Sequence, residues 1–283
     1  MKIGIIGNGF VGSAMVHGFV LHAEEILIYD VDSEKSTSSL KDVVEQTDCI
    51  FVCLPTPMFE NSGIDLSIID NCLADIDKLN IDMSEKVIVI KSTVVPGTTR
   101  EFSRKFERFN FVFNPEFLTE RRARLDFINT ARIVLGGEAK DVDKVEKIYR
   151  VRFPYTQLIK TDFESAELIK YMANCFFATK ISFMNEMKQI CEKTGANWEH
   201  AMEGFITDGR IGNSHLDVPG HDGFLGFGGK CFPKDINAMI SRAQALGVDP
   251  KVMKAAWEKN LEVREHLDWY EIKGAVTVKE DKK

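Results

Sequence analysis

No stretch of this chain is apolar for the roughly 20 residues that a bilayer-crossing helix needs, which sets aside a helical membrane protein. A basic excess is missing too: 36 Lys and Arg stand against 43 Asp and Glu, for a net charge of −7. That argues against a general nucleic-acid binder, which needs a basic surface, though it leaves room for a local basic pocket. There is no internal repeat and no low-complexity linker. The six cysteines, Cys49, Cys53, Cys72, Cys175, Cys191 and Cys231, show no metal-type pairing. They read as reduced thiols in a cytoplasmic protein, and no metal site is expected. The N-terminus opens on a strand-like segment, not on a signal peptide. What remains, 44% hydrophobic and 28% charged residues over 283 positions, is ordinary for a globular protein of one large or two ordinary domains.

Short apolar runs punctuate the first half. Lys2–Ile6, Ile26–Tyr29, Cys49–Leu54 and Val87–Lys91 read as strands, with shorter candidates at Phe111–Phe113 and Ile133–Leu135. Helical stretches alternate with them, the first from the glycine turn to about Leu21. This pattern predicts an α/β fold, a Rossmann-like, doubly wound and mostly parallel sheet spanning 1–160. An all-helical domain is expected over 161–270. Thr161-Asp162-Phe163-Glu164 reads as a capping box opening one long central helix, Phe163 to Lys193, with Gly195 just beyond it. Its apolar positions, Leu168, Ile169, Met172, Phe176, Phe177, Ile181, Phe183 and Met184, are too widely spread for one stripe, so burial on more than one side is expected. A charged tail is expected over 271–283, with Lys279–Lys283 disordered.

Gly7, Gly9 and Gly12 form G-x-G-x-x-G around Phe10 and Val11, between a strand and a helix. The first glycine permits the turn, the second admits a pyrophosphate, and the third lets helix and strand pack closely. Asp30 closes the second strand about 20 residues on, where an acid bonds a ribose 2′-hydroxyl and repels a 2′-phosphate. NAD is therefore expected in preference to NADP. The plainer reading is a glycine turn with a capping Asp. Two further loops, Pro55-Thr56-Pro57 and Ser92 to Thr98 with Thr93, follow strands where such folds bind ligands. Their hydroxyls are either ligand contacts or turn and cap residues.

The run Gly226-Phe227-Gly228-Gly229-Lys230-Cys231-Phe232-Pro233-Lys234-Asp235 carries the most chemistry. Pro233 suits a first helical turn, and Lys234–Leu246 reads as helix stopped by Gly247. A thiol at a helix N-terminus between two lysines ionises more easily, and the thiolate is the nucleophile. The alternative is an inert buried cysteine. Glu116 and Glu120, four apart, would share a face of a helical turn, as base and orienting acid. Otherwise they are solvated acids paired with Arg121, Arg122 or Arg124. Lys170 interrupts Leu168-Ile169-Lys170-Tyr171-Met172, with Asn174 one turn on. Lys170 either snorkels to water or stabilises oxygen charge in a cleft, with Asn174 as a neutral donor. Asp235 sits beside the thiol or serves as a first-turn acid.

Together the blocks GNGFVG, LPTP, STVVPGT, NPEFLTE, AELIKYMANCFFATKISFMNE and GFGGKCFPKD resemble the UDP-glucose/GDP-mannose dehydrogenase family, in order, from Met1 to about Leu267. The CFPKD form is more similar to the UDP-glucose branch. The resemblance implies oxidation of a primary alcohol to a carboxylate with two NAD+, taking UDP-glucose to UDP-glucuronate. It implies that Cys231 attacks an intermediate aldehyde, giving a thiohemiacetal and then a thioester that water hydrolyses. Lys170, Asn174 and Asp235 would serve the reacting oxygens and water, Glu116 the hydrolysis, and Thr93 the placement of the reacting groups. Gly7, Gly9, Phe10, Val11, Gly12, Asp30, Thr56, Thr93, Glu120 and Lys234 match the cofactor side. Glu116, Phe117, Leu118, Lys170, Asn174, Arg210, Phe224, Gly228 and Cys231 match the substrate side. The long helix resembles the family's homodimer core, across which Arg210 would reach a partner's active site.

Two departures stand out. The family's usual second Rossmann-like domain does not follow the helical region here. The chain is then a piece of a longer one, a short form, completed by a partner, or adapted to a smaller substrate. Arg121-Arg122 also stands where a glycine commonly follows the acid. Two other functions fit parts of the pattern. A two-electron β-hydroxyacid-type dehydrogenase shares the long helix with its Lys-x-x-x-Asn pair but needs no thiol. An NAD-binding module without turnover needs none of the acid, lysine and thiol set.

Overall fold

The computed structural model describes residues 2–60 and 63–277. The chain divides into two compact units, one of residues 1–56 and 65–170, the other of residues 57–64 and 171–283. Its strands are β1 (Lys2–Ile6), β2 (Glu25–Tyr29), β3 (Cys49–Val52), β4 (Met58–Phe59), β5 (Val87–Ile90), β6 (Asn110–Phe113), β7 (Arg132–Gly137), β8 (Gln157–Thr161) and β9 (Val276–Thr277).

In the first unit, seven of these form a sheet in the order β2-β1-β3-β5-β6-β7-β8, parallel except where β6 meets β7. The apolar runs are continuous because the central strands are covered on both faces. Their period of two sends Ile3, Ile5, Phe51, Val87 and Val89 into one core layer with Phe19, Phe127 and Tyr149. Ile6, Ile50, Val52, Ile88 and Ile90 enter the other layer with Ile69, Leu73 and Phe102. Each such side chain contributes about 1.5–3 kcal/mol of burial, which offsets the entropy of ordering the strands. The strand order reverses beside β1, and the crevice at the carboxyl ends of such strands is where doubly wound sheets bind ligands. The expected class is thus the observed one.

Several local expectations are corrected. The edge strand β8 was not expected, because QLIKT is polar and only half-buried. The capping box does not form: Asp162 caps the long helix, its Oδ1 accepting from Ser165 N at 2.7 Å, while Glu164 is drawn off to Arg100. The N-cap thus falls one residue later than expected, and the Asp162 carboxylate takes the first-turn N–H of Ser165. The long helix runs Phe163–Thr194, and Gly195 follows it at φ +71°.

Glu167, in the first turns of that helix, is fully buried. Its carboxylate accepts from Gly97 N (2.6 Å), Thr99 N (2.8 Å) and Thr99 Oγ1 (2.6 Å). It thereby caps the helix Thr98–Lys105, whose own N-cap, Gly97, has no side chain to offer. Burial pushes Glu167 up from 4.5 to about 7, against the pull of those donors. A folded value above the unfolded one means that the fold binds the extra proton. This contribution to stability is therefore full below about 4.5 and is lost as pH rises through about 7. Glu167→Gln, neutral throughout, is expected to flatten that slope in urea midpoints measured between pH 4.5 and 7.5.

The second unit is helical apart from the short parallel ladder of β4 with β9. It holds the rest of the long helix and helices Trp198–Ile206, Phe232–Ala245 and Lys251–Val263. Met58, Trp269 and Ala275 form a small core. The tail expected from residue 271 is thus folded through Thr277, with Ala275 buried, and Lys279–Lys283 lie outside the described residues. On the long helix Tyr171, Cys175, Ala178 and Met184 are buried, but Met172, Phe176, Phe183, Met187 and Ile190 are exposed. Burial on more than one side is therefore not met on that face within the chain. Among the described residues no helix is long and apolar enough to cross a membrane.

Candidate active site

The glycine turn sits between β1 and the helix Phe10–Phe19, which Phe10 and Val11 open. Gly7 adopts φ +92°. A Cβ at Gly12 would stand 2.0 Å from Gly7 O, a contact no side chain can make. A Cβ at Gly9 would meet nothing within 4 Å, so open space lies where a pyrophosphate would approach. Asp30 braces the turn, its Oδ2 accepting from Asn8 N at 2.7 Å and its Oδ1 from Asp32 N at 2.9 Å. A carboxylate has about four acceptor sites, so capacity remains for ribose hydroxyls. Asn8 Oδ1 is buried with no protein partner among the described residues. The turn therefore fits a dinucleotide. Gly12→Ala is expected to cut NAD affinity at least about 100-fold in a binding titration, because the new Cβ must push the turn apart.

Thr56 is buried, and its Oγ1 donates to Thr93 O at 2.9 Å, tying together the loops after β3 and β5. Both hydroxyl-bearing residues are thus brought together at the carboxyl ends of the central strands.

The NPEFLTE segment is not the helical turn that was expected. It has no regular secondary structure through Thr119, and a 3-10 turn begins only at Glu120. Glu116 and Glu120 therefore share no helical face. Glu116 is buried and Glu120 exposed. Glu116 accepts from Lys170 Nζ at 2.8 Å and from Leu118 N at 2.6 Å. Both partners of this ion pair are nearly inaccessible, with side-chain exposures of 3% for Lys170 and 6% for Glu116. Lys170 does not snorkel to water, and Glu116 is not a solvated acid. Phe117 lies under two cations, Arg132 at 4.1 Å and Lys170 at 5.7 Å from its centroid. Leu118 packs against the core layer of Ile3 and Phe51.

Behind this pair lies a network that the sequence reading missed. Lys91 is buried, and its Nζ donates to Asn114 Oδ1 at 3.0 Å. The Tyr149 hydroxyl donates to the same oxygen at 2.5 Å, and Asn114 Nδ2 donates to Val134 O at 2.7 Å. Burial pulls Lys91 down to about 8, with Glu116 opposing. The network fixes the start of the Glu116 loop. A lysine at the very end of an apolar strand was the available signal.

In the second unit, Cys231 is the N-cap of the helix Phe232–Ala245 and is half-buried, and Pro233 lies in the first turn as expected. Asp235 N donates to Cys231 O at 2.8 Å. The Asp235 carboxylate is buried, accepting from Asn174 Nδ2 at 2.5 Å and pairing with Lys234. Gly228 packs so tightly that a Cβ there would lie 2.1 Å from Arg264 Nη2. Phe224 is partly exposed, with Arg264 5.5 Å over its ring. Arg210 is 90% exposed and pairs with Asp208. Burial pushes Cys49, Cys53, Cys72 and Cys175 up to about 12. At neutral pH those four are thiols and offer no nucleophile.

Residues 33–152 match the NAD binding domain of the UDP-glucose/GDP-mannose dehydrogenase family, and residues 164–262 match its central domain. The UDP-glucose 6-dehydrogenase AglM of Haloferax volcanii is 30% identical, over 92% of this chain and 69% of its own length. The chain belongs to this family. The UDP-glucose 6-dehydrogenase TuaD of Bacillus subtilis is 34% identical over 94% of this chain. The chain spans 64% of the length of that relative. A UDP-glucose dehydrogenase structure from Pyrobaculum islandicum superposes with a TM-score of 0.81 at 27% identity, covering 92% of this chain and 68% of its own. The family's first domain takes NAD, and the first unit, with its glycine turn and Asp30, is such a domain.

Proposed function

We propose that this chain carries the oxidative chemistry of a UDP-sugar dehydrogenase, converting the primary alcohol of UDP-glucose to the carboxylate of UDP-glucuronate. The observation that carries this reading is the Cys231 turn. A half-buried cysteine stands at the N-cap position of a helix, one turn before a buried Asp235 that Asn174 holds in place. A simple alcohol-to-ketone oxidation needs no such sulfur.

NAD+, held by the turn of Gly7, Gly9 and Gly12 and by Asp30, supplies a two-electron acceptor for each of two oxidations. Between them, the Cys231 sulfur adds to the aldehyde carbon. A C–S bond forms, and the carbonyl oxygen takes up a proton. Lys170 and Asn174 are N–H donors suited to the charge on that oxygen. Oxidation of the thiohemiacetal leaves a thioester. Water then breaks the C–S bond, the acid forms, and the thiol returns. Glu116, already held as a carboxylate partner by Lys170, is the base for that water. Asp235 orders the same oxygens. Thr93, Thr56, Glu120 and Lys234 serve the cofactor side, and Phe117, Leu118, Phe224 and Gly228 the sugar-nucleotide side.

The exposed stripe Met172, Phe176, Phe183, Met187 and Ile190 is proposed as the homodimer seam. Its exposures of 62% and 63% at Met172 and Phe176 are unusual for residues so apolar. Arg210, 90% exposed on its own chain, would then reach a partner's site by leaving Asp208.

The test incubates the full chain with UDP-glucose and NAD+, identifies the product and counts NADH. Two NADH per carboxylate supports the proposal. One NADH with a carbonyl product favours a two-electron dehydrogenase, and NAD binding without turnover favours a binding module.

A further inference from the structure

We propose that His215 is a positioning residue for Cys231. Its neutral ring, clamped between Phe177 and Phe232, holds the first turn of the helix Phe232–Ala245, and its protonation releases that turn. This rests on the reading of Cys231 as the nucleophile, but its first readout does not.

Among the described residues, the non-glycine residues at positive φ are Asn80 and His215, the latter at +61°. Such a conformation persists only where the surroundings impose it. Here they do. The His215 ring stacks on Phe177 at 4.1 Å with an interplanar angle of 13°. It meets Phe232 edge-on at 5.5 Å. Phe177 lies on the long helix, and Phe232 directly follows Cys231 at the start of its helix. Phe232 also meets Phe227 edge-on at 6.2 Å, within the glycine turn that leads to the thiol. The next residue, Leu216, is buried against Met184 of the long helix. One imidazole thus pins the long helix, its own loop and the Cys231 turn to each other.

The charges around the ring make its protonation state matter. Lys180, one turn beyond Phe177, faces it while donating to Ile211 O and Gly212 O. Burial, then Lys180 and His221, lower the affinity of His215 for a proton, and Asp217 opposes them. A folded value below the ordinary 6.5 means that the fold keeps the ring neutral. The clamp is complete above that pH and is released as pH falls below the folded value.

The experiment measures iodoacetamide alkylation of Cys231 in the full chain by peptide mass spectrometry, from pH 5 to 9. Rates are divided by those of N-acetylcysteine to remove the intrinsic pH dependence of a thiol. His215→Asn removes the ring but tolerates the left-handed backbone. His215→Phe keeps the ring and cannot titrate. At pH 8, His215→Asn is expected to change the normalised rate by at least about fivefold, while His215→Phe stays within about twofold. Toward pH 5 the native chain should converge on His215→Asn, and His215→Phe should not. A His215→Asn rate equal to native across the range overturns the proposal. So does a His215→Phe profile that bends with pH as the native one does. If the alkylation pattern holds but Cys231→Ala still makes the acid, the clamp stands and the nucleophile assignment fails.

Discussion

Cys231→Ala is expected to lower carboxylate production from UDP-glucose by at least about 10³-fold, with NAD affinity unchanged within about twofold. The two halves of this prediction come from different parts of the chain. The dinucleotide turn lies in the first unit, at Gly7 to Gly12. Cys231 lies in the second and makes no side-chain cap bond to its helix. The substitution removes no helix cap, and a urea midpoint of the variant separates any loss of stability from lost chemistry. Removing the sulfur removes the covalent route from aldehyde to acid. The first oxidation, which needs no sulfur, should survive in part, and a trapping reagent such as a hydrazine should capture aldehyde. Native levels of acid from Cys231→Ala would end the thiol mechanism.

Lys170→Met is the second large effect, and it is expected on stability as well as activity. Lys170 and Glu116 are both nearly inaccessible and bonded at 2.8 Å. Methionine has similar length but takes away the ammonium donor and leaves the Glu116 carboxylate buried against Leu118 N. Breaking a buried pair in this way costs about 3–5 kcal/mol. For a chain of this size that corresponds to a fall of roughly 10 °C in Tm. A purely structural pair and a working pair both predict that loss. The double variant Lys170→Met with Glu116→Leu separates them, because removing both charges restores most of the stability. If the pair only held the fold, the double variant would regain activity. The proposed roles predict a stable and inactive protein.

The parts that could be read from the sequence were those where one local signal suffices. The apolar strands β1, β3 and β5 announce themselves because both faces are buried. The glycine turn is legible because its spacing, its position after a strand and Asp30 agree. Strand β8 was hidden because a half-exposed edge strand keeps polar residues. The box at Thr161 failed because two capping patterns of the same span overlapped, and the one at Asp162 formed, one residue later. The paired acids of NPEFLTE were misplaced because helical spacing was assumed where the Glu116 carboxylate instead bonds Leu118 N and Lys170. Lys170 was legible as a charge in an apolar stretch, but its partner Glu116 lies 54 residues earlier. Glu167 was invisible for the same reason. A glutamate in a helix reads as a solvated face until Gly97 and Thr99, 70 and 68 residues away, are brought against it.

The central claim is that the sugar passes through a covalent bond to Cys231, and intact mass after acid quench tests it most directly. Glu116→Gln keeps an acceptor for Lys170 but removes the base proposed for the final hydrolysis. Mixed with UDP-glucose and excess NAD+, this variant is expected to gain the mass of a UDP-glucuronoyl thioester, mapping to the Cys231 peptide and released by hydroxylamine. An unmodified protein alongside free UDP-glucuronate or free aldehyde would contradict the account.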